Sequence, residues 1–205
     1  MEILADPEFR RSVEQAQPYT LLDVGRLANL WTLARMTGPG TFLEVGSYRG
    51  GGALHLLHAM GARREPFYSF DPFEEGGFEK VTAVDNLFQS QDFTDTRYEK
   101  VVELVKPFPN ARVVRGFFPA AAAGIDLGPI AFCHLDVDVY QATRDSLAYL
   151  APRLARRSFI VLDDVQRSVK GVEKAVAEFL AEHPAFLFLP VFPSQGVLLS
   201  KELWP

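Results

Sequence analysis

The chain has 205 residues, enough for one substantial core, and its even mixture of apolar (48%) and charged (23%) residues offers no composition break that would divide it. A formal net charge of -5, with Arg153, Arg156 and Arg157 as the densest basic cluster, gives no global attraction to polyphosphate and argues against a nucleic-acid partner. No stretch reaches transmembrane length, and the opening Met1-Glu-Ile-Leu-Ala-Asp-Pro7 lacks a signal peptide's apolar run, so a cytoplasmic protein with no membrane partner is expected. We expect one domain over residues 1–205, with a helical extension over residues 1–38. The single cysteine, Cys133, excludes an internal disulfide and a thiolate zinc cage; inside an apolar run it reads as a buried core thiol.

Leu27, Leu30, Trp31 and Ala34 fall at helical spacing between Asp23 and Met36, and Gly38-Pro39-Gly40 stops that helix, which is expected to cover one side of a sheet. Short β-type runs follow at Thr41 to Val45, Phe67 to Phe70, Ala111 to Val114, Ile130 to Leu135 and Phe159 to Leu162, with helical patterns between most of them. Such alternation predicts a doubly wound, mostly parallel α/β sheet with helices on both faces. Phe186 to Leu189 and Val197 to Ser200 are separated by too few residues for a helical crossover and are expected to form a C-terminal antiparallel pair. Pro72 to Thr96 is long for a connection, carries Phe73, Phe78, Phe88 and Phe93, and has a Gly76-Gly77 hinge. It reads either as a lid over a site or as packing against the sheet.

After the first strand comes Glu44-Val-Gly46-Ser47-Tyr-Arg-Gly50-Gly-Gly52. Gly46 and Gly50 permit a tight turn and a close approach to a ligand, and the amides of Gly51 and Gly52 can hold a carboxylate. Glu44 would repel a pyrophosphate but attract the ammonium of an amino-acid moiety, which favours S-adenosylmethionine over NAD. Asp71 closes the second run at the spacing of an acidic group that binds ribose hydroxyls.

Asp136, Asp163 and Asp164 end the two later apolar runs. In an open α/β sheet ligands collect at the carboxyl ends of strands, and three like charges in one crevice call for a compensating cation; oxygen ligands suit a hard ion such as magnesium. Neighbours on a regular strand face opposite ways, so Asp163 and Asp164 converge only if the strand bends after Leu162. Asp138, three residues before Gln141, is read as a helix cap, distinct from Asp136. His134 is expected to point away from the side of Asp136, as a core residue or one layer behind the site. His55 and His58 are expected at solvated or cofactor-side positions of the helix after the glycine turn.

The three segments Phe42 to Gly52, Leu135-Asp136-Val-Asp138-Val-Tyr140-Gln-Ala-Thr143 and Val161-Leu-Asp163-Asp164 resemble, in order and spacing, the class I methyltransferases of the macrocin O-methyltransferase type, over about Leu21 to Leu180. The resemblance implies the Rossmann-like class I fold and an enzyme that uses S-adenosylmethionine and a divalent metal, usually magnesium, to methylate hydroxyls on sugars of secondary metabolites. It gives Glu44, Gly46 and Ser47 the methionine end of the cofactor and Asp71 the ribose. Arg115-Gly116-Phe117-Phe118 matches the family loop over adenine, with Gly116 and Phe117 as contacts. Asp136 would serve both cofactor and catalysis, holding metal with Asp163 and Asp164. The chain departs from the family where glycine usually separates the aspartate pair (here Val137) and where serine is common (here Ala142), so the acceptor, a small molecule with vicinal hydroxyls, is not specified further.

Two other classes stand beside this reading. An NAD-dependent oxidoreductase would share the sheet, but the turn lacks the G-x-G-x-x-G order. A non-catalytic cofactor-binding or interaction protein would use the leading helix around Leu30 and Trp31 as its partner surface. Self-association through that helix, as a homodimer, is compatible with either reading.

Overall fold

The computed structural model describes residues 3–73, 77–78, 81–85, 93, 95–165 and 169–204. Its centre is a seven-stranded sheet in the order β3-β2-β1-β4-β5-β7-β6. The strands are β1 (Thr41–Val45), β2 (Phe67–Asp71), β3 (Ala111–Arg115), β4 (Ile130–Leu135), β5 (Leu154–Leu162), β6 (Phe186–Val191) and β7 (Gln195–Ser200). Pairings among β1 to β5 are parallel, and β7 runs antiparallel to both β5 and β6. The doubly wound sheet with a C-terminal antiparallel pair is thus the observed architecture.

Helices α1 (Pro7–Ala16), α2 (Val24–Met36), α3 (Gly51–Met60), α4 (Tyr98–Val105), α5 (Tyr140–Leu150) and α6 (Lys170–Glu182) lie on the two faces. One core cluster joins α1, α2 and α3 to Phe42, Phe132, Phe159 and Val161; the other joins α5 and α6 to Leu43, Val45, Cys133, Leu135, Ile160 and Leu162. Alternate residues of each central strand therefore serve opposite layers, as the pleat requires. That parity decides where each polar residue at the strand ends goes.

The leading helix forms as expected. Asp23 caps α2 by accepting the Arg26 amide, and Leu27, Leu30, Trp31 and Ala34 are all buried. Because Leu30 and Trp31 are packed inside, they offer no partner surface themselves. Asp6 caps α1, with Pro7 at the first helical position, and α1 lays Phe9, Ser12 and Ala16 inward. The strand expected at Phe159 to Leu162 begins earlier, at Leu154, through an irregular stretch of pairing with β4; Arg156 and Arg157 hide it from an apolar-run reading.

His55 corrects another expectation. It is fully buried on α3, accepting at Nδ1 from the Ser12 hydroxyl at 2.8 Å and donating from Nε2 to the Leu27 carbonyl at 2.9 Å. Phe9 and Trp31 flank its ring, and burial pushes its pKa down to about 4, so the imidazole is neutral. It is a core residue that ties α1 and α2 to α3. His58 is half-buried against Phe108 rather than solvated.

Of the 72–96 connection, Glu74, Glu75, Gly76, Phe88 and their neighbours lie outside the described residues. Among the described ones, Phe73 is buried against Tyr98, while Phe93 meets both Tyr48 and Phe78 edge to face. Asp85 is buried and accepts the Tyr140 amide at 2.7 Å, the first of α5, and the Thr82 amide at 2.8 Å. Gly171 at the start of α6 lies so close that a Cβ would overlap the Asp85 carboxylate. No helix among the described residues is long and apolar enough to cross a membrane.

Candidate active site

A cavity of about 380 Å³ opens over the carboxyl ends of β1, β2, β4 and β5, lined among others by Glu44, Gly46, Ser47, Asp71, Gly116, Phe117, His134, Asp136, Asp138 and Asp164. All the residues expected at the site except Asp163 line it; Asp163 lies directly beneath.

At the β1 end, Gly46 takes φ +90°, and a Cβ there would overlap the Asp136 carbonyl, so only glycine lets the loop lie against β4. Gly50 adopts the left-handed conformation that opens α3. Asp71 fixes the loop: one oxygen accepts the Ser47 and Tyr48 amides, both at 2.8 Å, and the other accepts the Phe73 amide at 2.6 Å. Gly51 and Gly52 open α3, and Gly52 lines the cavity. Both are buried, and side chains there would overlap the Tyr19–Thr20 backbone and the Glu44 carboxylate respectively. They are glycines for close packing.

Glu44, 1% exposed, shares the α3 side of the sheet with its strand partner His134. Its Oε1 faces His134 Nδ1 at 3.4 Å, whereas Oε2 is buried without a hydrogen-bond partner among the described residues. Burial drives the Glu44 pKa up, and His134 pulls the other way. Gly116, Phe117 and Phe118 line another part of the wall, and Phe118 also packs against Phe70 and Tyr149.

His134 and Asp136 are two residues apart and so share a face, which corrects the expectation that they point apart. Ligand atoms of His134, Asp136 and Asp163 lie within 4.8 Å of one another, as do those of Asp136, Asp138 and Asp164. Asp136 belongs to both groups. The bend required after Leu162 is present: β5 ends there, and Asp164 takes φ +56°. The pleat nevertheless sends Asp163 toward His134 and Asp164 toward Asp138, so the aspartate pair divides between the two groups.

Asp138 does not cap α5. The cap position is Val139, without a side-chain hydrogen bond, and Asp85 takes the Tyr140 amide instead. With φ +64°, Asp138 turns its carboxylate into the cavity beside Asp164.

Asp163 is the most heavily bonded of these groups. Oδ1 accepts from Arg26 Nη1 at 2.8 Å and from the Asp164 amide at 3.2 Å, and Oδ2 accepts from His134 Nε2 at 3.1 Å and Gln195 Nε2 at 2.8 Å. Burial alone would raise its pKa, but the His134 hydrogen bond and the charges of His134 and Arg26 hold it at about 2. Burial opposes the charge on His134 too, yet hydrogen bonds to Asp163 and Glu44 lift its pKa to about 10, so the ring is an imidazolium donating both ways. Asp138 is pushed up to about 7 by burial and by the Asp164 and Asp163 carboxylates. Asp136 goes well above the ordinary range by burial and the charges of Asp163, Asp138 and Asp164.

Arg26 and Gln195 were not anticipated from sequence. The only available signal was an arginine on the apolar stripe of the leading helix, next to Leu27. Gln195 carried none, since its role follows from β7 lying beside β5.

Residues 11–186 match the family model for macrocin-O-methyltransferase (TylF). A relative from Streptomyces olivaceus, 8-demethyl-8-(2,3-dimethoxy-alpha-L-rhamnosyl)-tetracenomycin-C 4'-O-methyltransferase, is 27% identical over 178 residues, covering 78% of this chain and 67% of that protein. Mycinamicin III 3''-O-methyltransferase from Micromonospora griseorubida is 27% identical over 191 residues, covering 80% and 71%. Among solved structures, the O-methyltransferase NovP superposes with a TM-score of 0.75 at 22% identity, over 89% of this chain and 81% of that one. The SAH-bound Podospora anserina methyltransferase PaMTH1 does so with 0.64 at 13% identity, over 95% and 88%. The oxidoreductase and non-catalytic readings fall with the family match. The chain is a class I S-adenosylmethionine-dependent O-methyltransferase and belongs to the macrocin-O-methyltransferase family.

Proposed function

We propose that the enzyme methylates one of two neighbouring hydroxyls on the sugar of a small secondary metabolite, with a divalent cation, magnesium by preference, at the acceptor end of the cavity. The observation that carries this reading is one cavity lined both by Glu44, whose Oε2 has no hydrogen-bond partner among the described residues, and by the clustered Asp136, Asp138 and Asp164 carboxylates. The named activities of the two sugar O-methyltransferase relatives agree with it.

The residues present fit the cofactor. A buried carboxylate oxygen lacking a donor among the described residues suits an ammonium group, and Gly46 and Ser47 line the same cavity. Asp71 and Gly116 would meet the ribose, and Phe117 offers a ring face to adenine. They also fit a hard cation, since like-charged carboxylates that raise one another's pKa are relieved by such an ion. When bound, S-adenosylmethionine supplies the methyl group and the cation supplies positive charge that acidifies a hydroxyl.

The chain's own residues do the rest. Asp136, shared by both groups, orients the ion and the acceptor. Asp138, turned into the cavity beside Asp164, is placed to accept the hydroxyl proton on its carboxylate. Phe73, Phe78 and Phe93 wall the cavity and exclude water.

The test is Asp136→Asn, assayed against nucleotide-linked and glycoside sugars with vicinal hydroxyls, alongside calorimetric titration with S-adenosylhomocysteine. Turnover should disappear while cofactor affinity stays nearly unchanged. Full activity in that variant would refute the assignment.

A further inference from the structure

Helix α5 starts without a cap of its own. Its cap position, Val139, makes no side-chain hydrogen bond, and the acid that the local sequence offers for the task, Asp138, lines the cavity instead. Asp138 stands two residues before Tyr140, the spacing at which an aspartate accepts an amide of its own chain in an Asx turn. That amide, one of the first-turn donors for which a helix has no internal acceptor, is already taken by Asp85 Oδ1 at 2.7 Å.

Asp85 is fixed in place for this bond. It is buried, its Oδ2 accepts the Thr82 amide and the Thr82 hydroxyl, both at 2.8 Å, and its own amide donates to the Thr82 carbonyl at 3.0 Å. Oδ1 is thereby left for α5. The start of α6 makes room for it, since a Cβ on Gly171 would overlap that oxygen and crowd the Tyr140 nitrogen at 2.9 Å. Three stretches of chain far apart in sequence thus converge on one amide.

Asp138 itself sits in a strained turn. The Val139 amide donates to the Val137 carbonyl at 2.7 Å, closing three residues around Asp138 at φ +64°. Such γ-turns with positive φ are rare, and they persist only where the surroundings over-determine them. Two acids therefore compete for one donor, and whichever holds it decides where Asp138 points.

We propose that Asp85 is a positioning residue: by capping α5 from a distant segment, it keeps Asp138 from capping the helix and so holds the Asp138 carboxylate in the cavity. The proposal rests on the proton-accepting role given to Asp138 above and adds what keeps that carboxylate available. Asp85 does not line the cavity and acts only through the Tyr140 amide.

The test is amide hydrogen exchange at Tyr140, read by NMR on the full chain, in the wild type, Asp85→Ala and Asp85→Ala/Asp138→Ala. In Asp85→Ala the Asp138 carboxylate should swing onto the amide, so protection should fall by less than about tenfold; in the double variant, with neither acid present, it should fall by about a hundredfold or more. A merely structural Asp85 would leave Tyr140 as exposed in the single variant as in the double, and that result overturns the proposal. Protection that survives in the double variant overturns it too. Should Asp85→Ala not fold, Gly171→Ala, which pushes the carboxylate off the amide, takes its place in the same series.

Turnover separates this proposal from the role of Asp138. In Asp85→Ala kcat should fall by about tenfold or more while the Kd for S-adenosylhomocysteine stays within about threefold, and Asp85→Asn, which keeps an oxygen for the amide, should retain most of kcat. If the exchange pattern appears and kcat does not fall, the proton-accepting role of Asp138 is lost and the positioning of its carboxylate by Asp85 stands.

Discussion

The buried imidazole at the α1–α3 contact gives a stability titration whose size follows from its surroundings. His55 has its pKa pushed from 6.5 to about 4 by burial. Between those values the unfolded chain holds a proton that the folded protein rejects, so stability falls as pH falls. The contribution is fully present above the unfolded pKa and is exhausted below the folded one. At about 1.4 kcal/mol per pKa unit, the loss approaches roughly 3 kcal/mol, or some 6–12 °C in Tm for a chain of this size. His55→Gln keeps polar atoms for Ser12 and the Leu27 carbonyl but does not titrate. Chemical denaturation of both proteins at steps from pH 7 to pH 4 should show the wild-type advantage over the variant shrinking by about that amount. Other buried acids titrate equally in both proteins and cancel in the difference. A difference that stays flat over this range would refute the assignment of a neutral, buried imidazole at this position.

Three further outcomes are expected. Glu44→Gln should weaken S-adenosylhomocysteine binding by about 10- to 100-fold, the worth of a charged hydrogen bond, with little change in Tm; an unchanged Kd by calorimetry would remove Glu44 from the cofactor site. Gly46→Ala, which combines φ +90° with overlap on the Asp136 carbonyl, should lose about 2 kcal/mol or more in urea denaturation, and an unshifted midpoint would contradict the packing described. Gly171→Ala should displace Asp85 from the Tyr140 amide at a cost of about 1–2 kcal/mol, the scale of a lost cap, and should add little in an Asp85→Ala background; full additivity in the double-mutant cycle would show that the two act separately.

The strands and the leading helix were legible because apolar runs and helical spacing report directly on burial. Thr41–Val45 and Ile130–Leu135 have the expected bounds, and the antiparallel end followed from a connection too short for a crossover. The strand-end carboxylates were legible as a set for the same reason. Their division was not, because which aspartate meets which partner depends on pleat parity at the last residue of a strand and on two left-handed residues, Asp138 and Asp164. Asp138 looked like a cap in sequence because a helix does start just after it. The competing acceptor, Asp85, lies more than fifty residues upstream. His55 and His58 share a spacing that says nothing of burial, and only the arrival of α1 over α3 makes one of them a core residue. Arg26 reaches its partner over 137 residues, a contact that local pattern does not encode.

The strand order also has a consequence for how the site comes into being. β1 to β3 form one half of the sheet and β4 to β7 the other, and in this order the halves meet along β1 and β4. Each half is a contiguous stretch of chain whose strands can pair through nearby connections. Of the residues that line the cavity, Glu44 and Asp71 belong to the first half, and the clustered aspartates to the second. Glu44 meets His134 across this seam at a separation of 90 residues, and Gly46 presses on the Asp136 carbonyl at the same line. A contact of that span carries a larger loop-closure cost than those within either half. A folding chain can therefore own both ends of its active site before it owns the site, and methyl transfer waits on the closure of a single strand pair.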